Sequence, residues 1–159
     1  MLVVDGDVMI AAGQNLVFID EDFKIGRKIP VDFHLRDVCL MADKTLIICG
    51  EGALAQVKLT QGTYTKYIAA SEAANFTCIA AIDANTFCVG NDDGIISVMD
   101  LDSEAEIGAA NVQFPLKGML RINNKIVAYG GAWKSKGKSV VLLDWEEIMH
   151  KAKQVAPRR

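Results

Sequence analysis

Short apolar runs alternate with polar turns along the whole chain, and residues 77–102 show this pattern most completely. One apolar run ends at the turn 83–85 (Asp-Ala-Asn), a second follows it, and a tight turn at 91–94 (Asn-Asp-Asp-Gly) leads into a third. Asn, Asp and Gly supply the positive φ angles that tight hairpin turns require. The stretch therefore predicts three antiparallel strands.

The same arrangement repeats with a period near 40 residues, which is typical of repeat architectures. Three glycines that end apolar runs lie 40 residues apart (90 − 50 and 130 − 90), and Gly13 ends a comparable run 37 residues before the first of them. A turn residue precedes each of the three by seven positions: Asp43 before Gly50, Asp83 before Gly90 and Asn123 before Gly130. We interpret the chain as four units, at about 1–33, 34–73, 74–114 and 115–145, followed by a tail at 146–159.

Each unit is most apolar in its second strand and most polar in its outer segment. The runs at 45–50, 86–90 and 125–130 are apolar at nearly every position, so both faces of these strands must be covered. The fourth segments are polar and alternating, as expected at an outer edge. Sheets of this kind cover one another when they stack radially. The pattern predicts an all-β fold, a β-propeller segment of about four four-stranded antiparallel blades with a short C-terminal helix.

The line from Gly90 to Asp100, GNDDGIISVMD, resembles the most typical line of a WD-repeat protein, a Gly-x-Asp-Asp-Gly turn followed by a strand that ends in Trp-Asp. His34 is similar to the His of the family's Gly-His pair, although Phe33 stands where the Gly belongs. Three units have the Asp of the Trp-Asp pair, with another apolar residue in place of the Trp: Ile19-Asp20, Met99-Asp100 and Leu143-Asp144. Unit two has Val57-Lys58 at this position.

The resemblance implies a non-enzymatic protein–protein interaction scaffold that needs no cofactor. WD-type propellers usually have about seven blades, and four is the low end of the range for propellers in general. Unit one also begins inside its first strand, so we expect open ends that expose two apolar sheet faces. We therefore expect half of a propeller that a partner chain or a second copy completes, or a piece of a longer propeller.

Composition and charge restrict the partners and the compartment. The formal net charge of −3 and the pI near 5.4 give no global attraction to nucleic acid or to an anionic membrane. No run approaches the roughly 18 apolar residues of a membrane span. Asp5 interrupts the first apolar run before it could serve as a signal peptide. We expect a soluble, cytoplasmic complex subunit, with the nucleus as the alternative compartment.

The cysteines lie inside apolar runs, where Cys behaves as a small hydrophobic residue: Cys39, Cys49, Cys78 and Cys88. A zinc site is the alternative interpretation. The cysteines of each pair are ten residues apart, however, rather than the roughly two to four of zinc motifs, and neither His lies at ligand spacing. We predict buried, reduced thiols, no metal site and no catalytic constellation.

The hairpin tip at 130–138, GGAWKSKGK, is longer than its counterparts. Lysines can contact a phosphate or an acidic peptide as point charges, and a tryptophan can anchor a partner. A solvated loop is the simpler interpretation. We predict partner contacts at five residues: Trp133, Lys134, Lys136, Lys138 and, at the start of the tail, Trp145.

The tail abandons the strand pattern and predicts a helix. Asp144 is placed to cap it, acids occupy its first turn, and Lys151 and Lys153 follow in the order that the helix dipole favours. The apolar residues Ile148, Ala152 and Val155 form a stripe along it. This helix either binds a partner, packs on the last blade, or links to further sequence.

Two other functions stay open from the sequence alone. One is a ligand-binding or enzymatic propeller whose site lies at the central channel, where residues from several blades converge. The other is nucleic-acid or phosphate binding through the basic loop 133–138, which would weaken steeply with added salt. Salt-insensitive binding would argue against the second.

Overall fold

A computed structural model describes residues 1–66, 75–131 and 139–149 of the chain. The described residues form fifteen strands in four antiparallel sheets, which we number as blades 1 to 4. In every sheet the strands are hydrogen-bonded to their neighbours in chain order. The prediction of an all-β chain of stacked antiparallel sheets is confirmed.

The strands of the first two blades have the following bounds. Blade 1 contains β1 (Leu2–Val4), β2 (Asp7–Ala12), β3 (Asn15–Ile19) and β4 (Ile25–Pro30). Blade 2 contains β5 (Leu35–Leu40), β6 (Thr45–Gly50), β7 (Ala53–Lys58) and β8 (Thr63–Lys66).

The last two blades differ in strand number. Blade 3 contains β9 (Phe76–Ala81), β10 (Thr86–Asn91), β11 (Ile95–Asp100) and β12 (Ala105–Asn111). Blade 4 contains β13 (Leu116–Ile122), β14 (Lys125–Gly130) and β15 (Val140–Asp144). Within the described residues its sheet therefore has three strands, and a short helix at 145–149 follows β15.

The blades stack with their first strands side by side. β5 contacts β9, and β9 contacts β13, so the sheets radiate outward from a row of inner strands. A separate apolar cluster fills the space between each pair of successive blades. The strongly apolar second strands of blades 2 and 3 thus lie between two such clusters, as their sequence pattern requires.

One hydrogen bond recurs in blades 2, 3 and 4 and fixes how these blades correspond. The backbone N–H just after the second strand donates to the carbonyl just before the first strand: Glu51 to His34 at 3.2 Å, Asp92 to Asn75 at 3.1 Å and Gly131 to Pro115 at 2.8 Å. A Cβ atom on Gly50 or Gly130 would collide with that carbonyl oxygen, which accounts for both glycines.

In blade 3 the residue that ends the second strand is not the glycine that the 40-residue spacing predicted. Asn91, not Gly90, ends the second strand of blade 3 and is equivalent to Gly50 and Gly130. The Oδ1 atom of Asn91 accepts hydrogen bonds from the N–H groups of Asp93 and Ile95, at 3.1 and 2.9 Å, and so holds the tight turn. Gly90 therefore lies one residue before the structural equivalent of Gly50 and Gly130, although the three glycines are spaced 40 residues apart.

In blades 1, 3 and 4 an aspartate at or just after the end of the third strand caps the backbone that follows it. Asp20 Oδ1 accepts from the N–H of Lys24 at 2.9 Å, and Asp100 Oδ2 accepts from Ser103 Oγ at 2.6 Å. The side-chain and backbone hydrogen bonds from Ser103 hold the pKa of Asp100 below its ordinary value. Asp144 accepts from the N–H of Glu146 at 3.0 Å, so it caps the helix at 145–149 as predicted.

Polar contacts also join neighbouring blades. Asp37, in β5 of blade 2, accepts hydrogen bonds from the N–H of Val38 and from the N–H of Ile79 in blade 3, both at 2.9 Å. Lys44 of blade 2 forms an exposed ion pair with Asp5 of blade 1 at 2.7 Å. The bond to Ile79 satisfies a backbone N–H of β9, which is an edge strand of its sheet among the described residues.

The described part of the helix packs on the chain's own last blades. Ile148 is buried, and Trp145 and Met149 lie against the cluster between blades 3 and 4. Ala152 and Val155, which were predicted to continue the apolar stripe, lie outside the described residues. Across 1–66, 75–131 and 139–149, no helix has the length and apolar character that a membrane span requires.

Candidate interaction surfaces

Every blade has two faces, because pleating directs alternate side chains to opposite sides of a sheet. We call the face toward the preceding blade the incoming face and the face toward the following blade the outgoing face. In blade 2 the incoming face packs against blade 1 through Leu46, Ile48, Ala55 and Val57. Its outgoing face packs against blade 3 through Cys39, Ile47, Cys49 and Leu54.

The outgoing face of blade 4 is apolar and exposed. The cross-strand pairs Leu120–Val127 and Tyr129–Val140 take the positions that Cys39–Ile47 and Cys49–Leu54 take in blade 2. The four residues of blade 2 are 0–8 % exposed, whereas Leu120, Tyr129 and Val140 are 44, 46 and 57 % exposed. Equivalent apolar positions thus differ in whether a blade lies against them.

A second apolar surface lies on the incoming face of blade 1. The cross-strand pairs Val8–Ile19 and Ile10–Val17 are equivalent to Leu46–Val57 and Ile48–Ala55 of blade 2. The residues of blade 2 are fully buried, whereas those of blade 1 are only partly buried. Val3 and Ile25 extend the Val8–Ile19 row across the sheet, and both are exposed. Both ends of the stack therefore present the kind of surface that its interior buries.

Tyr129 has a distinct arrangement at the centre of the blade 4 surface. It pairs with Gly118 across the strands, and its ring occupies the space that a side chain on Gly118 would need. An aromatic ring that covers a cross-strand glycine is a known device of β-sheets. The ring is thereby held close to the sheet while remaining 46 % exposed. Large, pre-positioned aromatic side chains of this kind often anchor protein interfaces.

A third surface lies where the inner strands begin. The pairing register skips one residue in each of β5, β9 and β13: Arg36, Thr77 and Lys117. A β-bulge changes the direction in which a side chain points, and these three residues line one pocket of about 450 Å³. We call it the inner-strand pocket. Residues from blades 2, 3 and 4 thus converge on one place.

The inner-strand pocket is polar and carries both signs of charge. Arg36 pairs with Glu51 at 2.6 Å, and the Asn75 side-chain amide donates to Asp92 at 3.1 Å. Both members of the Arg36–Glu51 pair are about half exposed, so solvent screens their attraction. Lys117 is exposed at the rim. The pocket therefore offers donors and acceptors to a polar ligand without a dominant net charge.

The four thiols are free and buried, as the sequence predicted. Burial raises the pKa of Cys39 and Cys88 from 9.0 to about 12 and that of Cys78 to about 11. It also raises the pKa of Cys49 well above 9.0. Because only a thiolate is an effective nucleophile or metal ligand, these thiols are inert near neutral pH. Among the described residues no three His, Cys, Asp or Glu side chains are grouped to hold a metal ion.

The structure describes one of the five predicted contact residues. Trp133, Lys134, Lys136 and Lys138 lie outside the described residues, so the basic-loop hypothesis stays a prediction. Trp145 is partly buried, packs against the cluster between blades 3 and 4, and donates its backbone N–H to Asn124 at 3.1 Å. His34, which resembles the family's His, has an exposed side chain, and only its carbonyl contributes to the repeated hydrogen bond.

Sequence reasoning predicted open apolar ends but did not name the residues on them. The signal was present, because the second strands of units one and four are apolar on both faces. The sequence left open a site where residues from several blades converge, but it did not name the residues of the inner-strand pocket. Its sequence signal is weak: a polar residue follows the first residue of three inner strands, and nothing in the spacing indicates a bulge.

No protein-family model matches the chain, and no curated protein is significantly similar to it. Solved structures do match. Hydrazine synthase from Kuenenia stuttgartiensis superposes with a TM-score of 0.77 at 15 % identity, over 89 % of this chain and 44 % of that chain. The WD40 domain of Pan2 from Neurospora crassa superposes with a TM-score of 0.75 at 12 % identity, over 92 % of this chain and 48 % of that chain.

A chain in the crystal structure of the mitotic checkpoint complex also matches, with a TM-score of 0.70 at 15 % identity, over 88 % of this chain and 44 % of that chain. The present chain thus spans less than half the length of each of these three. At such low identity the likeness shows the fold alone. Together with the four radially stacked antiparallel sheets, it shows that the chain is a segment of a WD-like β-propeller.

Proposed function

We propose that this chain is a non-enzymatic protein–protein interaction scaffold whose two end faces pack against further propeller blades. One observation carries the proposal: apolar residues on both end faces occupy positions whose equivalents inside the stack are buried against a neighbouring blade. They are the exposed residues Leu120, Tyr129 and Val140 of blade 4 and the partly buried pairs Val8–Ile19 and Ile10–Val17 of blade 1. A blade supplied from outside would meet the same apolar pattern that already holds blades 1 to 4 together.

The physical driving force is the burial of apolar surface. Covering a Val, Leu or Ile side chain contributes about 1.5–3 kcal/mol relative to leaving it exposed. Each end face presents several such side chains next to one another, among them Val140 and Leu142 on blade 4 and Val3 and Ile25 on blade 1. Large contiguous apolar patches are uncommon on isolated proteins and mark interaction sites.

The solved structures support a larger assembly. Each of the three is about twice the length of this chain, which leaves room for as many blades again. One belongs to the mitotic checkpoint complex, and another is a hydrazine synthase, so this architecture occurs both in a protein complex and in an enzyme. Because one fold can host unrelated functions, we base the non-enzymatic assignment on this chain's own surfaces.

The buried thiols make it possible to test whether the end faces are covered. Leu142→Cys places a reactive thiol on blade 4 and Val3→Cys places one on blade 1, against a background of four unreactive native thiols. Ile95→Cys, at an exposed position of blade 3 away from both end faces, is the matched control. The measurement is the rate of labelling by a thiol reagent, in cells that produce the chain and in the dilute purified protein.

We expect both end-face thiols to react at least about tenfold more slowly in cells than the control thiol does, which is the protection that roughly 1.4 kcal/mol of association gives. Equal labelling of all three variants in cells would show bare end faces and would overturn the proposal. Mass spectrometry of the labelled peptides separates the introduced thiols from the native ones.

Ligand binding in the inner-strand pocket is a second candidate function, favoured by the convergence of Arg36, Thr77 and Lys117 from three blades. A short polar peptide would fit this mixed lining, with carboxylates that pair with Arg36 and Lys117 and donors that pair with Glu51 and Asp92. We expect Arg36→Ala with Lys117→Ala to weaken binding of such peptides at least about tenfold, and Lys28→Ala, an exposed cation of blade 1, to have no effect. Fluorescence anisotropy measures this, and equal affinity in all variants would argue against the pocket.

A further inference from the structure

We propose that the end faces of two copies of this chain join head to tail. The outgoing face of blade 4 in each copy packs on the incoming face of blade 1 in the other, and the two contacts close an eight-bladed ring with two-fold symmetry. This inference rests on the proposed function, since it names a second copy as the source of the further blades. It adds the orientation, the contact residues and the number of copies.

The first argument is that the new contact continues an interface that the chain already builds three times. Inside the stack, an outgoing face always meets an incoming face, as in the contact of Ile47 and Leu54 of blade 2 with Phe87 and Val89 of blade 3. The two faces left open are one of each kind. They are therefore the two halves of the same repeated interface, and no other pairing of end faces would preserve its geometry.

The second argument is the chemistry of the two faces. The four central positions are apolar on both sides of the proposed contact: Leu120, Val127, Tyr129 and Val140 on blade 4, and Val8, Ile10, Val17 and Ile19 on blade 1. A single internal interface contains the same number of central positions on each side. The contact would thus bury no charged group at its centre, which is what a stable interface requires.

The charges that border the blade 4 face are already paired. Lys125 Nζ lies 3.2 Å from Asp144 Oδ2, and the hydrogen bond from Lys125 holds the pKa of Asp144 below its ordinary value. The equivalents of Lys125 in blades 2 and 3 are Thr45 and Thr86, which are buried polar residues. Because the pair is self-compensated, a blade could approach this edge without leaving one charge alone.

The third argument concerns the number of copies. The chain covers 44–48 % of the length of the similar solved chains, so two copies supply nearly the amount of structure that one of those chains has. Eight blades is the upper end of the usual range for propellers. A head-to-tail contact closes into a ring only if its rotation divides the circle. The proposed ring therefore requires that the four blades of one chain span half of the circle.

The orientation of the contact can be tested by mixing two variants. Val140→Lys changes only the blade 4 face, and Val17→Glu changes only the blade 1 face. Ser97 is the equivalent of Val17 in blade 3, so a polar residue already occupies this position within the stack. Ile95→Lys is the control, since Ile95 is exposed on an internal blade. Light scattering gives the mass of each protein, and circular dichroism verifies that each is folded.

We expect the wild-type chain and Ile95→Lys to have twice the single-chain mass of 17.3 kDa. Each end-face variant should dissociate at least about 100-fold more readily, because a charge enters both contacts of its ring. An equimolar mixture of the two variants should regain the doubled mass. In the mixed pair one contact combines both substitutions, while the other joins two unaltered faces.

Three results would overturn the inference. The first is a wild-type chain of single mass at every concentration; labelling of the end-face thiols in cells then decides separately whether another protein covers them. The second is dissociation by only one variant, which would indicate a contact between like faces. The third is growth of the wild-type chain into long polymers, which would show that the head-to-tail contact does not close.

Discussion

The interface between blades 2 and 3 and the outgoing face of blade 4 use the same strand positions in different surroundings. Leu54 is 1 % exposed at the first, and its equivalent Val140 is 57 % exposed at the second. Their blades share the inner-strand bulge, the turn hydrogen bond and the glycine that ends the second strand. The comparison separates the structural features that a blade has by itself from the burial that a neighbouring blade provides.

The largest difference is expected for truncation of the equivalent apolar residues. Leu54→Ala should lower the free energy of unfolding by about 2–5 kcal/mol, because it removes methyl groups from a closed interior and leaves a cavity. Val140→Ala should cost less than about 0.5 kcal/mol in a single dilute chain, where its side chain contacts mainly water. Urea denaturation measures both. Equal losses would mean that the two faces are equally covered within one chain.

The next largest effect is expected at the polar contact between blades 2 and 3. Asp37→Ala removes the acceptor of the Ile79 N–H and should cost about 1.5–3 kcal/mol, the usual value for a hydrogen bond to a charged group. Asp37→Asn keeps an oxygen in place and should recover part of that loss. The equivalent residue on the open face is Gly118, which makes no such bond. If Asp37→Ala left the denaturation midpoint unchanged, the bond to Ile79 would contribute nothing.

The glycines that end the second strands should behave alike in both regions. A Cβ atom on Gly50 or on Gly130 meets a carbonyl oxygen of the same blade, so Ala at either should cost about 1–3 kcal/mol or more. Gly26→Ala is the control, because the nearest atom to its added Cβ would be 3.9 Å away. A large cost at Gly50 and none at Gly130 would show that this contact depends on the neighbouring blade.

Alkaline pH should weaken the internal interfaces selectively. All four thiols lie on the outgoing faces of blades 2 and 3, and none lies on that of blade 4. Burial raises the pKa of Cys88 from 9.0 to about 12, so the folded thiol stays protonated while the unfolded one ionises. The stability that this provides is complete below about pH 9 and is lost as the pH rises toward 12.

The contribution of one thiol to this pH dependence can be measured by substitution. Cys88→Ala should reduce the slope of unfolding free energy against pH by about 1.4 kcal/mol per pH unit between about pH 9.5 and 11. The slope is the useful quantity, because the small cavity left by the substitution lowers stability equally at every pH. An unchanged slope would mean that the thiol is exposed and already ionises in the native protein.

The sequence was most informative where local chemistry determines the structure. Turn residues such as Asn91 and the doubly apolar strand 45–50 predicted antiparallel sheets that cover one another, and Asp144 predicted the cap of the helix at 145–149. Glycine spacing was less reliable. Gly90 and Gly50 look equivalent in sequence, but the pairing of Asn91 with Phe76 and the hydrogen bond from Asp92 to Asn75 place Asn91 in that role.

Surfaces formed by several blades could not be predicted in the same way. The inner-strand pocket depends on register shifts at Arg36, Thr77 and Lys117. Each shift lies one residue from the start of its strand, so too few residues precede it to reveal a change in the alternation of apolar and polar positions. The exposure of Tyr129 depends on which blade stands next to it, and no pattern within its own strand records that. Local rules thus predict the blade, and long-range arrangement decides which faces remain open.

Small-angle X-ray scattering of the purified chain tests most directly whether the open faces are interface faces that close a ring. We expect a forward-scattering mass of twice 17.3 kDa and the profile of a closed disc with a central channel. Dilution should lower the mass only at concentrations where the disc opens. A particle of single mass with the profile of a four-blade arc, unchanged over the whole concentration series, would contradict the head-to-tail ring.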